Sequence, residues 1–209
     1  ADTGTAAQDS RMWFDKSKGA FRAGEVTSTE WDAANVGSYS AAFGYDTKAT
    51  ADYSFAAGYE AEARGTFSVA MGYQAEARGD SSVALGGYSG PGGYPSASGD
   101  ASLAMGSYAS AGGTGSVAIG YGSGGGTLYA EGDYSVAIGY DVVSQTNNNV
   151  IAIGESFSAT DDSSFNVGFG GLDFQITDGT IDAQDNDITT TGTITAAGLT
   201  ATGAIDLDG

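Results

Sequence analysis

The stretch Ser116-Val117-Ala118-Ile119-Gly120 decides the fold of this chain, because the same phrase returns along most of its length. It recurs almost unchanged as Ser135-Val136-Ala137-Ile138-Gly139, and weaker copies precede and follow these two. The closing glycines, most of them 14 residues apart, are Gly44, Gly58, Gly72, Gly86, Gly106, Gly120, Gly139, Gly154 and Gly168. A fixed period with occasional insertions indicates a solenoid, in which each repeat adds one rung to the last.

Large and small side chains alternate within each copy, which is the period of a β-strand. In the strongest copy Val117 and Ile119 are large, whereas Ser116, Ala118 and Gly120 are small. We expect the large set to fill the interior of each coil. We expect the small set to allow close approach by another backbone, which favours an oligomer.

The spacer between two phrases is normally nine residues and contains a second, weaker strand of small residues, such as Ala61, Ala63 and Gly65. One rung is therefore two short strands and two turns. The tyrosines that follow the closing glycines should stack into a ladder or, alternatively, form a carbohydrate-binding stripe; they are Tyr45, Tyr59, Tyr73, Tyr121 and Tyr140. Glu62 with Arg64, and Glu76 with Arg78, should form a charge ladder on the surface.

Two inserts, residues 87–101 and residues 121–134, lengthen the spacer and are rich in glycine. Inserts in a repeat emerge as loops on one face, where binding residues are often placed, although they are equally consistent with neutral insertion. The candidate ligand-binding residues in them are Tyr88, Tyr94, Leu128 and Tyr129.

The first 35 residues do not repeat, and we expect them to cap the open end of the solenoid. Residues 11–14 and 19–24 are typical of two short strands joined by a polar turn. Both tryptophans of the chain, Trp13 and Trp31, lie in this segment. Cap packing is their expected role, and ligand binding is the alternative.

Composition excludes several functional classes. The chain has no cysteine and no histidine, which removes thiol nucleophiles, imidazole bases and Cys/His metal sites. Its net charge is -19, and no basic residue follows Arg78, so binding to nucleic acid or to an anionic membrane is not expected. No apolar stretch is long enough for a transmembrane helix.

Residues 171–209 change to a pattern of Asp, Thr, Ile and Gly, which predicts short strands with weak cores and a β-rich stalk of several chains. Asp182, Asp185 and Asp187 are candidate calcium ligands, because Ca²⁺ prefers carboxylate oxygens. Their spacing fits neither an EF-hand nor the nonapeptide calcium repeat, so solvated turns are the default interpretation and no other cofactor is expected.

The phrase Ser-Val-Ala-Ile-Gly on a 14-residue period, with its small-residue half-repeat, resembles the head of the YadA-like trimeric autotransporter adhesins over residues 36–170. The resemblance implies a left-handed parallel β-roll, a homotrimer and attachment of a bacterium to host surfaces. Coiled-coil heptads typical of that family's stalk are not evident. Residues 185–194 are more similar to the β-rich shafts of phage tail fibres and injection-machine fibres.

We therefore predict an all-β solenoid with an N-terminal cap (1–35), a β-roll head (36–170) and a stalk or shaft segment (171–209). The predicted function is non-enzymatic, extracellular attachment at a cell surface. The partners would be further copies of the chain and a host-surface protein or glycan, with no membrane insertion by this segment. The alternative is a structural or receptor-binding segment of a tail fibre on a virion, or of a surface filament.

Overall fold

The computed structural model describes residues 9–87, 93–123, 128–159 and 162–168. It begins with an antiparallel hairpin of β1 (Asp9–Asp15) and β2 (Ala20–Val26), followed by a short 3-10 helix (Ala33–Asn35). The remaining strands are β3 (Ala41–Tyr45), β4 (Lys48–Ala49), β5 (Phe55–Tyr59), β6 (Glu62–Ala63), β7 (Val69–Tyr73), β8 (Glu76–Ala77), β9 (Val83–Gly86), β10 (Ser96–Ala97), β11 (Leu103–Met105), β12 (Ala109–Ala111), β13 (Val117–Tyr121), β14 (Leu128–Ala130), β15 (Val136–Ser144), β16 (Ile151–Ala159) and β17 (Phe165–Gly168).

Each of these strands pairs in parallel with the equivalent strand one rung away, so that like residues lie over like residues. In β13 and β15, Val117 pairs with Val136 and Ile119 with Ile138. The register continues across the first insert, because Leu103 in β11 pairs with Val83 in β9. The described strands form one sheet, and the predicted all-β repeat fold with two strands per rung is confirmed.

The predicted orientation of the side chains is wrong, because the small set fills the interior and the large set lies outside. The alanines at the centre of the phrase are fully buried, and so are the alanines of the second strands. These buried alanines include Ala42, Ala56, Ala70, Ala84, Ala104, Ala118, Ala137 and Ala152 in the first strands and Ala49, Ala63, Ala77, Ala97, Ala111 and Ala130 in the second.

The reason for the reversal is the narrowness of the coil. A rung of about 14 residues leaves its two strands so close that most interior positions hold alanine or serine, and larger buried side chains such as Leu128 and Val142 occur only in the later rungs. The close approach that the small residues permit is therefore between the two strands of the same chain. The phrase serines share this interior: Ser40 and Ser54 donate their hydroxyl hydrogens to Gly37 O and Ala51 O, both at 2.6 Å.

The closing glycines allow the rungs to stack at the corner of the coil. Gly58 has φ +126°, and a Cβ atom added there would lie 2.2 Å from the carbonyl oxygen of Gly72 in the next rung. This position therefore needs glycine both for its backbone conformation and for space. The reappearance of glycine at this corner is the direct cause of the sequence period.

Acidic and amide side chains join the opposite turns of most neighbouring rungs by hydrogen bonds. The carboxylate of Asp80 accepts a hydrogen bond from the backbone N–H of Thr66 at 2.7 Å. Equivalent bonds, from 2.7 to 2.9 Å, join the N–H of Ser38 to Asp52, Asp80 to Asp100, Thr114 to Asp133, Asp133 to Asn148 and Asn148 to Asp162. These bonds satisfy turn donors that the strand ladder cannot reach.

Residues 9–35 close the start of the interior with a buried arginine. Arg22 occupies the place that alanine has in later rungs, and its guanidinium donates to Ser40 Oγ and Ala49 O, both at 2.9 Å. Burial lowers the pKa of Arg22 to about 10. Trp31, in the same segment, is also buried and donates its indole N–H to Thr47 O at 3.0 Å, which is the packing role expected of it.

Candidate functional site

An apolar face covers the outside of the first strands from the hairpin to the last rung. Two columns of side chains in continuous register form this outer apolar face. The first column is Phe14, Phe21, Ala41, Phe55, Val69, Val83, Leu103, Val117, Val136, Ile151 and Phe165; the second is Met12, Ala23, Phe43, Ala57, Met71, Leu85, Met105, Ile119, Ile138, Ile153 and Val167. Met12 is 74% exposed and Phe165 is 63% exposed, so the face is uncovered in a single chain.

Two stacked aromatic columns flank this face in the first three rungs. The leading aromatic column (Tyr39, Tyr53 and Phe67) precedes the phrase, with ring centroids 5.2 and 4.9 Å apart. The trailing aromatic column (Tyr45, Tyr59 and Tyr73) follows the closing glycines, with both centroid spacings 5.0 Å and the rings within 4° of parallel. The predicted tyrosine ladder is therefore confirmed, and Tyr121 also stacks on Tyr140.

Beyond the trailing column a charged groove of about 380 Å³ runs along the corner of the coil. It is lined by Glu30, Asp46, Lys48, Glu60, Glu62, Gln74, Glu76 and Tyr94. Six of these residues come from the turn and the second strand of consecutive rungs, and the parallel register aligns Lys48, Glu62 and Glu76. The other two, Glu30 and Tyr94, belong to the cap segment and to the first insert.

Donors within the chain hold the carboxylates of the groove. Lys48 Nζ donates to Glu62 Oε1 at 2.8 Å, and Gln74 Nε2 donates to Glu60 Oε2 at 2.7 Å. Arg64 also pairs with Glu62, and Arg78 pairs with Glu76, which confirms the predicted charge ladder. Within the described ranges, no group of three acidic side chains is arranged to hold a metal ion.

The charged groove adjoins the trailing aromatic column, because Glu60 of the groove follows Tyr59 of the column in the chain. The Glu60 carboxylate raises the pKa of Tyr59, as a hydrogen-bond acceptor for the phenol and as a negative charge beside it.

The candidate ligand-binding residues of the inserts have different environments. Tyr94 is half-buried and lines the charged groove. Tyr129 is half-buried on the outside of β14, in register with Ser110 and Val143. Leu128 is fully buried and packs inside the coil, so its side chain is closed to a ligand and serves the core. Tyr88, and the candidate calcium ligands Asp182, Asp185 and Asp187, lie outside the described residues.

The sequence reasoning missed the leading aromatic column and the charged groove. A signal for both was present: aromatic residues precede the phrase serine by one position at Tyr39, Tyr53 and Phe67, at the same 14-residue spacing. Polar residues likewise recur two positions after the closing glycine, at Asp46 and Glu60. The linear sequence does not show these contacts, because the side chains become neighbours only once the rungs are stacked.

Comparison with known proteins identifies a family to which the repeated rungs are similar. Residues 36–61, 63–89, 97–123 and 129–141 match the family model of the YadA head domain repeat (2 copies). The gaps between the later segments fall within the two inserts. No curated protein matches the chain, and the described residues contain no helix with the length and apolar character needed to cross a membrane. The rungs within these four segments, which carry much of the outer apolar face and both aromatic columns, are therefore similar to YadA head repeats.

Proposed function

We propose that the chain is a self-associating, non-enzymatic attachment head that acts outside the cell as a homotrimer. The observation that carries this proposal is the outer apolar face, displayed on rungs of the YadA head type. The rungs provide a rigid scaffold, and association of several copies would give a weak ligand site the avidity that attachment needs. The trimer, rather than another cyclic assembly, is what the resemblance to YadA-like heads implies.

The outer apolar face favours copies of the chain over any other partner. Monomeric soluble proteins rarely expose a continuous apolar surface of this extent. The same two columns recur in every rung at a spacing of about 4.8 Å, from the hairpin to β17. A partner that complements this face over its full height must have the same repeat, and another copy of the chain has it.

The surfaces left for a host protein or glycan would be those away from the outer apolar face. Tyr88, Tyr94 and Tyr129, which belong to the inserts, remain the proposed recognition residues. Tyr94 lies at the edge of the charged groove, so a ligand that contacts the first insert would also meet carboxylates. A cationic segment of a host protein would be favoured there over an anionic one.

Sedimentation of variants of the outer apolar face tests the assembly. The double variant Val117→Ser with Ile119→Ser removes two large outer side chains and leaves the buried Ala118 in place. We expect trimers for the unaltered chain and monomers with unchanged strand content for the variant. The control is Gln145→Ser, an exposed polar position outside the two columns, which should stay trimeric. A monomeric unaltered chain would refute the assembly.

Attachment is tested with beads coated with the chain on immobilised matrix proteins, glycans and host cells. Replacement of residues 87–101 and 121–134 by nine-residue spacers with the sequence of residues 59–67, which begins and ends with an aromatic residue, should abolish attachment and leave the trimer intact. Unchanged attachment would exclude the inserts as recognition elements. A trimer that attaches to none of these surfaces would instead support the structural fibre segment.

A further inference from the structure

The leading and trailing aromatic columns match each other rung by rung. The leading position is the residue before the phrase, and the trailing position is the residue after its closing glycine. Both positions are aromatic in four rungs: Tyr39 with Tyr45, Tyr53 with Tyr59, Phe67 with Tyr73, and Tyr134 with Tyr140. Both are small in the rungs of Ser81 and Gly87, and of Ala101 and Ser107. Both are polar in the rung of Asn149 and Glu155, whereas the rung of Gly115 and Tyr121 and the rung of Ser163 and Phe169 are exceptions.

Contacts within one chain do not explain this match. The two positions of a rung are six residues apart along an extended strand, on the order of 15–20 Å. Tyr53 stacks on Tyr39 and Phe67, whereas Tyr59 stacks on Tyr45 and Tyr73. Among the described residues, no ring contact joins one column to the other.

A cyclic assembly of parallel copies explains it. When identical chains surround an axis parallel to their own, the leading edge of each copy meets the trailing edge of the next at the same height. Residues six positions apart in one chain then become neighbours between chains. We therefore propose that the leading aromatic column of one copy packs against the trailing aromatic column of the next, in parallel and at the same rung. This inference rests on the proposed self-association.

The environment of the rings supports a protein partner over a sugar. Tyr53 is 51% exposed, Phe67 59% and Tyr134 65%, so the leading positions carry apolar area that a neighbouring copy would bury. A sugar stacks on the face of an aromatic ring, but rings stacked at about 5 Å cover each other's faces. Ring edges remain available, and edge-to-face contact with another aromatic ring uses them. The two rungs with small residues at both positions lie on either side of the first insert. The paired edges of neighbouring copies would leave room for the insert there.

Engineered cysteines test the pairing directly, because the chain has none of its own. In the double variant Tyr53→Cys with Tyr59→Cys, a disulfide within one chain is excluded, since bonded cysteines need Cα atoms within about 7 Å. Oxidation should join most chains into covalent dimers and closed trimers on a non-reducing gel. A mixture of the two single variants, exchanged before oxidation, should give covalent dimers only.

The control pairs Tyr53→Cys with Tyr140→Cys, which lie in rungs far apart along the coil, and should not cross-link. Covalent dimers of Tyr53→Cys alone would show that leading columns meet each other and would overturn the proposal. If sedimentation showed trimers but the double variant Tyr53→Cys with Tyr59→Cys formed no cross-links, this pairing would be wrong and self-association would stand. Monomers by sedimentation would refute both.

Discussion

Replacement of Gly58 by alanine tests whether the rungs stack as closely as the structure shows. The new Cβ atom would lie 2.2 Å from the carbonyl oxygen of Gly72, whereas ordinary contact begins at 3.4 Å. Neither partner is a flexible side-chain end, so the backbone of two rungs would have to separate. That separation would stretch the neighbouring backbone hydrogen bonds between rungs, such as the one from Gln74 N–H to Tyr59 O at 2.8 Å.

The expected loss of stability for Gly58→Ala has two parts. A non-glycine residue held at φ +126° costs about 1–3 kcal/mol. Overpacking against fixed backbone costs about 1–3 kcal/mol more. We therefore expect the free energy of unfolding to fall by about 2–6 kcal/mol, as measured by urea denaturation followed by circular dichroism.

Two other glycines separate these contributions. At Gly86, φ is +109° but the nearest atom to an added Cβ is Gly106 N at 3.3 Å, so Gly86→Ala should show mainly the conformational cost. At Gly112 the nearest atom is 3.6 Å away and φ lies outside the left-handed region, so Gly112→Ala should be close to neutral. If Gly58→Ala were no more destabilising than Gly86→Ala, close stacking at this corner would be refuted.

Three further predictions concern the turns and the cap. Asp80→Ala should lower the free energy of unfolding by about 1 kcal/mol, because the hydrogen bond from Thr66 N–H is lost. Asp80→Asn should be nearly neutral, because Asn148 accepts the equivalent turn hydrogen bond in another rung. Chemical denaturation of the two variants tests this difference. The Ser17 hydroxyl donates to Asp15 and holds the pKa of that carboxylate below its usual value, so Ser17→Ala should raise it in an NMR titration. Since the carboxylate is favoured in the folded state, its stabilisation is present above the ordinary Asp pKa and is lost as the pH falls through the lowered one. Trp31→Ala should lower the free energy of unfolding by about 3–5 kcal/mol, and a denaturation midpoint equal to that of the unaltered chain would contradict its role in the cap.

The rung architecture could be predicted from the sequence because glycine, alanine and serine each have a steric reason to recur. Gly44 and Gly58 mark the same corner, and Ala42 and Ala56 the same interior position, so the period fixes the parallel register. The hairpin at residues 9–26 followed from its short strands and polar turn. For the rungs, a linear pattern with one period was sufficient.

The direction of the side chains could not be predicted, because alternation is symmetric between the two sides of a strand. Only the separation of the two strands in a rung shows that Ala118 fits inside and Ile119 does not. The charged groove was missed for a related reason: Glu60 and Gln74 are 14 residues apart and become partners only across rungs. Leu128 shows the opposite case, since an insert residue turned out to begin a core strand.

The unbroken register on either side of the first insert has a consequence for engineering. Val83 pairs with Leu103, and Glu76 pairs with Ser96, as if the insert were absent. The chain leaves and rejoins the coil at positions that the neighbouring rungs determine, so the length of the intervening loop is largely decoupled from the scaffold. A foreign peptide exchanged for residues 88–92 would therefore be displayed once per copy, at a fixed height, with its two ends held by the adjoining rungs.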